Sequence, residues 1–210
     1  MTKLIIICSL LTTLFAEYQP KISHITDSVK KRMIHGNSWR KGCPVSLEDL
    51  RYLQISYKDF HGQSKVGEMI VHKAVAPEVI KIFEELYVIG YPIRKMKLVS
   101  DYKGSDWQSI EADNTSAFNC RNATGSKKWS RHSYGKAIDL NSIENPYISR
   151  SGRIAHKASL QYRKRVHKKN TVADKAVLLK NDKATKIFKK HGWKWGGDWR
   201  GVKDYQHFSK

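Results

Sequence analysis

Two short segments, far apart in the sequence, oblige this chain to close on itself. One is Ser130-Arg-His132-Ser-Tyr-Gly135-Lys-Ala137-Ile-Asp139; the other is Asp204-Tyr-Gln-His207-Phe208. Together they offer two imidazoles and a carboxylate, from His132, Asp139 and His207, to one Zn2+ ion. A second carboxylate, Asp204, stands where a general base is needed. Any fold that uses this set must bring the C-terminal segment beside residues 132–139. Three protein ligands leave one position of a tetrahedral zinc for water, which marks a hydrolytic rather than a structural centre.

The spacing sets local requirements. His132 and Asp139 are seven residues apart, so a straight strand would send them to opposite faces. Gly135 lies between them and can supply a turn that aims both at one ion. Beyond it Ala137 and Asp139 share one face, small Ala137 leaving room beside the metal, while Ile138 and Leu140 take the other and can enter a core. Asp204 and His207 are three apart, which a turn or one helical step aligns. The chain has nine histidines. His24, His35, His61, His72, His156, His167 and His191 carry no such context and read as surface or packed residues. No His-Glu-x-x-His helix is present, which speaks against the commoner metalloprotease class.

A chain of 210 residues with 40% hydrophobic content supports one sizeable core. Helices mixed with non-alternating strands predict an α+β single domain: a central, largely antiparallel sheet flanked by helices, with the zinc site on the sheet. Residues 1–16 have a short basic start, an apolar run from Leu4 to Phe15 and small Ala16, the pattern of a cleaved signal peptide. Export to the periplasm or cell wall follows as an expectation. Cys43 and Cys120 then remain, open to two readings: a disulfide or two buried thiols. Residues 17–42 read as a basic linker and 43–210 as the catalytic domain. Ser46-Leu-Glu48-Asp49-Leu50 resembles a capped helix start. Strands are expected around Met69-Ile-Val71, over Lys95–Asp101, over Lys136–Asn141 and at Tyr205–Phe208. A helix is expected from Ala76-Pro77-Glu78 to near Gly90.

Charge adds a partner without naming it. The formal net charge is +20, and residues 150–194 hold fifteen Lys or Arg against Asp174 and Asp182. This run reads either as a solvated face or as a footing on an anionic cell-envelope polymer. No nucleic-acid motif accompanies it, so a nucleic-acid partner is not expected.

The residues around the two segments carry a closer resemblance. Ser130-x-His132-x-x-Gly135-x-Ala137-x-Asp139, followed by a carboxylate-x-x-His, resembles the zinc peptidases of peptidoglycan. These are D-alanyl-D-alanine carboxypeptidases of the VanY type and L-alanyl-D-glutamate endopeptidases of phage lysins. Asn114 to Arg121, Asn145-Pro-Tyr147 and Gly192-Trp-Lys-Trp-Gly-Gly-Asp-Trp199 are similar to the same branch. The resemblance implies zinc ligation by His132, Asp139 and His207, with Asp204 as general base where many relatives have Glu. It implies that Arg121 holds the scissile carbonyl oxygen and that Ser130 bonds substrate or supports a ligand. The substrate would be a peptidoglycan stem peptide, trimmed of a terminal D-alanine or cut internally; a zinc-stabilised binding domain without catalysis is the alternative of another class. Trp193, Trp195 and Trp199 suit core packing or a substrate-lining role.

Overall fold

A computed structural model describes residues 18–166 and 170–210. The signal-peptide reading of residues 1–16, and positions 167–169 of the basic run, lie outside the described residues. Strand β1 (Lys21–Ser23), β2 (Leu50–Lys58) and β3 (Ser64–His72) form one antiparallel sheet. β2 and β3 pair over their full length, Leu50 opposite His72 and Lys58 opposite Ser64. Their turn is fixed by Asp59, whose Oδ1 accepts the N–H groups of His61 and Gln63 at 2.8 and 2.9 Å. Helix α2 (Ala76–Val88) lies against β2 and buries Val79, Ile82, Phe83 and Leu86 at helical spacing.

The second sheet carries the C-terminal half. β4 (Ala137–Asp139) pairs with β8 (His207–Ser209), which pairs on its other side with β6 (Lys194–Trp195). A two-stranded ribbon joins β5 (Tyr147–Ile148) to β7 (Lys203–Asp204). The fold is therefore α+β with antiparallel pairing, as expected, but the single central sheet is divided into three. Isolated bridges span the gap: Met96 with Thr115, and Ser116 with Asp139. The expected strand over 95–101 shrinks to the bridge at Met96, and residues 99–102 form a 3-10 turn. Asn114 explains the interruption. Its side chain accepts from the Lys97 N–H at 2.9 Å and donates to the Lys97 carbonyl at 3.0 Å, replacing a ladder partner.

Two other expectations change at the N-terminal side. Ser46 does cap, accepting the Asp49 N–H at 3.3 Å, but only one 3-10 turn follows before β2 begins. The alternation of Leu53, Ile55 and Tyr57 is a strand signal that outweighs the cap. Residues 18–42 are not a linker. They contain β1 and helix α1 (Asp27–His35), capped by Thr26, with Val29 and Met33 buried against Leu50, Ile70, Leu98 and Phe118. Arg32 of α1 makes a fork to both oxygens of Glu68 at 2.6 and 2.7 Å and reaches Asp101 at 2.7 Å. With only two core positions, α1 has too thin an apolar stripe to read from sequence. Cys43 and Cys120 form a disulfide. Among the described residues no helix is long and apolar enough to cross a membrane.

The basic run is not uniformly a solvated face. Arg165 donates to the carbonyls of Glu144, Tyr162 and Leu178 and to Asn145 Oδ1, at 2.5 to 3.3 Å, and lies over the Tyr205 ring. Burial brings its pKa down to about 10. This cation is an interior strut. Lys189 and Lys190 are paired with Asp198 and Glu85. The remaining helices, α3 (Asp106–Glu111), α4 (Val172–Ala176) and α5 (Lys183–Lys190), are short. α5 packs Ile187 and Phe188 onto the main core, where Phe188 stacks on Phe208.

Asp113 and Glu144 form a buried carboxyl pair. Glu144 is 2% exposed, and burial followed by the nearby Asp113 charge pushes its pKa up to about 9. Folded Glu144 therefore keeps a proton that the unfolded chain releases above its ordinary value. Its contribution to stability is complete below that value and is lost as pH rises towards about 9. Glu144→Gln, which fixes the neutral form, should melt higher than the wild type at pH 8, with the gap closing at pH 5. Each kcal/mol corresponds to roughly 2–4 °C at this chain length. Equal melting curves at pH 8 would show that Glu144 is not held protonated.

Candidate metal centre and active site

Register brings the ligand residues together. β4 and β8 set Asp139 directly opposite His207, Ile138 opposite Phe208 and Ala137 opposite Ser209. Alternation then sends Ile138 and Phe208 to the core and leaves Asp139 and His207 on the outer face. Ala137 is buried two register pairs from Asp139, opposite Ser209. His132 arrives on a 3-10 turn, Arg131–Tyr134, that ends at Gly135 with φ +64°. The turn expected at Gly135 is present, and its lack of a side chain serves two purposes. A Cβ there would sit 2.5 Å from the His72 nitrogen and 3.0 Å from the Val71 carbonyl carbon, backbone atoms of β3. Gly135→Ala should cost about 2–4 kcal/mol through left-handed strain and overpacking. Thermal melting of the two proteins measures it; an unchanged melting temperature would remove the packing argument.

The three ligand residues are buried, and one donor atom from each lies within 4.8 Å of the others. His132 Nε2 is 3.2 Å from Asp139 Oδ2, His207 Nδ1 is 3.1 Å from Asp139 Oδ1, and the two ring nitrogens are 3.2 Å apart. His132 Nδ1–H donates to the Ala117 carbonyl at 2.5 Å, so its Nε2 lone pair faces the cluster. A backbone carbonyl on the far nitrogen is the usual orienting partner of a metal-bound imidazole. Burial alone would raise the Asp139 carboxyl, but His132 and His207 hold it well below the usual carboxylate range. Burial likewise acts to lower His207, and the bond to Asp139 overrides it, so its pKa is raised. Two imidazole nitrogens aimed at each other across one carboxylate are a donor set that suits a zinc ion.

Asp204 ends β7, on a different sheet from His207, with Tyr205 and Gln206 turning the chain between them. Gly196 makes this approach possible, since a Cβ there would fall 2.4 Å from the Asp204 carbonyl oxygen. Asp204 Oδ1 is enclosed and has no hydrogen-bond partner. Burial pushes its pKa up to about 7, with His207 pulling down and Asp139 pushing up. A carboxylate with one enclosed oxygen left without a partner, beside the candidate ligand group, has the character of a proton acceptor in waiting.

These groups form the floor of an open cleft of about 790 Å³. Arg121 and Ser130 line it. Ser130 also caps the His132 turn, accepting the His132 N–H at 3.3 Å. Arg121 is ion-paired with Asp106 at 2.9 Å. The tryptophans divide: Trp193 and Trp195 are core, whereas Trp199 lines the cleft at 36% exposure. His156, read above as an ordinary surface or packed histidine, stands instead in the cleft wall. It stacks on Trp107 at 4.0 Å and bonds Glu111 at 2.6 Å. No local pattern flags Asp106, Trp107 or His156, because α3 meets residue 156 only through tertiary packing.

A buried group that could hold a metal, with a carboxylate beside it and open to a cleft of peptide dimensions, is an arrangement suited to hydrolysis. A family model described as D-alanyl-D-alanine carboxypeptidase matches residues 124–210, which hold all three ligand residues and Asp204. That segment is similar to this peptidase family, in line with its motifs; Arg121 falls just before the match. No curated protein and no solved structure matches the chain.

Proposed function

We propose that this protein is a zinc-dependent peptidase that hydrolyses peptidoglycan stem peptides, of the D-alanyl-D-alanine carboxypeptidase type. The observation that carries the reading is the convergence of His132, Asp139 and His207 beside Asp204 on the floor of one cleft. His132, Asp139 and His207 would hold a divalent cation, which would supply Lewis-acid chemistry and a water whose pKa is lowered to about 7.

The chain's own residues do the rest. Asp204 takes a proton from the attacking water at its carboxylate and returns it to the leaving amine nitrogen. A carboxyl poised near neutrality is suited to both halves of that transfer. Arg121 faces the charge that grows on the carbonyl oxygen, where one such contact is worth about 2.7–4 kcal/mol of barrier. Ser130 offers its hydroxyl to the bound peptide from the edge of the ligand turn.

A second reading, an endopeptidase cutting between L-alanine and D-glutamate, is favoured by two observations. Asp rather than Glu stands at position 204, and the cleft is lined by many residues besides the ligand group, Asp106, Trp107, His156 and Trp199 among them. The disulfide Cys43–Cys120 supports work in an oxidising compartment, the periplasm or cell wall. The lysines and arginines of residues 150–194 offer a footing on an anionic wall polymer. Digestion of purified muropeptides, read by mass spectrometry, tests the reading. A product lighter by one alanine means carboxypeptidase, and release of the stem from its sugar-linked L-alanine means endopeptidase. An unchanged muropeptide with zinc bound would overturn both.

A further inference from the structure

Arg121 is held from two directions, and only one of them is part of its own loop. Its backbone is tied through Cys120, which is disulfide-bonded to Cys43, donates its N–H to Ser38 at 2.9 Å and accepts from Arg40 at 2.6 Å. Ser133, next to the ligand His132, accepts the Arg121 N–H at 2.9 Å and donates to the Arg121 carbonyl at 2.6 Å. The backbone distance from Arg121 to the ligand turn is thereby fixed. The guanidinium is not fixed by these bonds, since a long side chain keeps its rotamer freedom unless its head is held.

The head is held by α3. Arg121 Nη2 meets Asp106 Oδ1 at 2.9 Å, and Nη1 reaches back to the Asn122 carbonyl at 3.1 Å. Nε is enclosed and has no partner, so the two terminal nitrogens alone set the direction of the plane. We propose that Asp106 is a positioning residue for hydrolysis, holding the Arg121 guanidinium on the cleft wall where the carbonyl oxygen becomes charged. This rests on the peptidase reading given above.

Three features support the role. The pair is partly open to solvent, with side-chain exposures of 24% and 38%, so it adds little to stability and its value is geometric. Asp106 is carried on a braced element: Ser105 caps α3 by accepting the Gln108 N–H, while Trp107 and Glu111 lock it to His156. Asp106 is also close enough to the reaction centre for its charge to help raise the Asp204 carboxyl. One contact thus ties α3 to the loop that carries Arg121.

The test compares Asp106→Asn and Asp106→Glu with the wild type on muropeptides, in zinc-loaded protein. Asn should lower kcat by about a hundredfold, the loss expected when a charged group drifts by an ångström, with KM little changed. Zinc content and melting temperature should stay at wild-type values, and Glu should restore a large part of the rate. Wild-type activity in Asp106→Asn would overturn the proposal. So would a faster variant, which would make Asp106 a competitor for the guanidinium. A second readout needs no turnover: 15N NMR of Arg121 should show slow guanidinium rotation that Asp106→Asn abolishes. Rotation equally restricted in the variant would overturn the proposal by itself. A wild-type protein that cuts no muropeptide, yet shows the rotation change, would overturn the peptidase reading and not the Asp106–Arg121 hold.

Discussion

Asp204→Asn should cut the rate of muropeptide hydrolysis by about 10²–10⁴-fold, the contribution of a positioned general base. The metal should stay, because Asp204 is not among the three converging donors. Asparagine keeps the shape of the side chain and removes its basicity, so the cleft should be unaltered. Zinc content near one per chain, with near-normal substrate affinity and no turnover, is the expected combination. Loss of zinc together with activity would instead make Asp204 a ligand. Its enclosed oxygen without a hydrogen-bond partner is why the change should matter so much: that oxygen is left free to take a proton.

The second large effect is expected for His207→Ala, and it has two components. One is the metal, which should bind far more weakly with only His132 and Asp139 left to hold it. The other appears even in metal-stripped protein. Asp139 is 4% exposed and is kept charged by His132 and His207 together. Removing one imidazole takes away a charge-assisted hydrogen bond of about 1.5–3 kcal/mol and leaves a buried carboxylate half satisfied. Chelator competition measures the first component, and melting in excess chelator measures the second. Wild-type zinc affinity in the variant would sink the ligand assignment.

The site was far more legible than the fold around it. His132, Asp139, Asp204 and His207 sit in two short segments whose spacing already states the local geometry. Gly135 could be assigned to a turn because only a residue without Cβ fits a left-handed position against β3. The errors fell where side chains rather than periodicity decide the backbone. Asn114 takes over hydrogen bonds that a strand at 95–101 would have used. Ser46 begins a single turn because the alternation of Leu53, Ile55 and Tyr57 commits the chain to β2. Residues 18–42 resembled a linker because α1 buries only Val29 and Met33, and its chief tie, Arg32 to Glu68 and Asp101, joins positions far apart in sequence.

By itself, then, the sequence determined the candidate ligand residues, the turn between the first two and the carboxylate proposed as base. These follow from residue type and spacing over a few bonds, where sterics leave little choice. The tertiary structure decided everything that depends on who faces whom across the cleft. Asp139 meets His207 because β4 and β8 adopt one register, and Asp106 meets Arg121 because α3 packs beside the disulfide-tied loop. Such pairings rest on burial and chain closure summed over the whole core, and no local pattern encodes them.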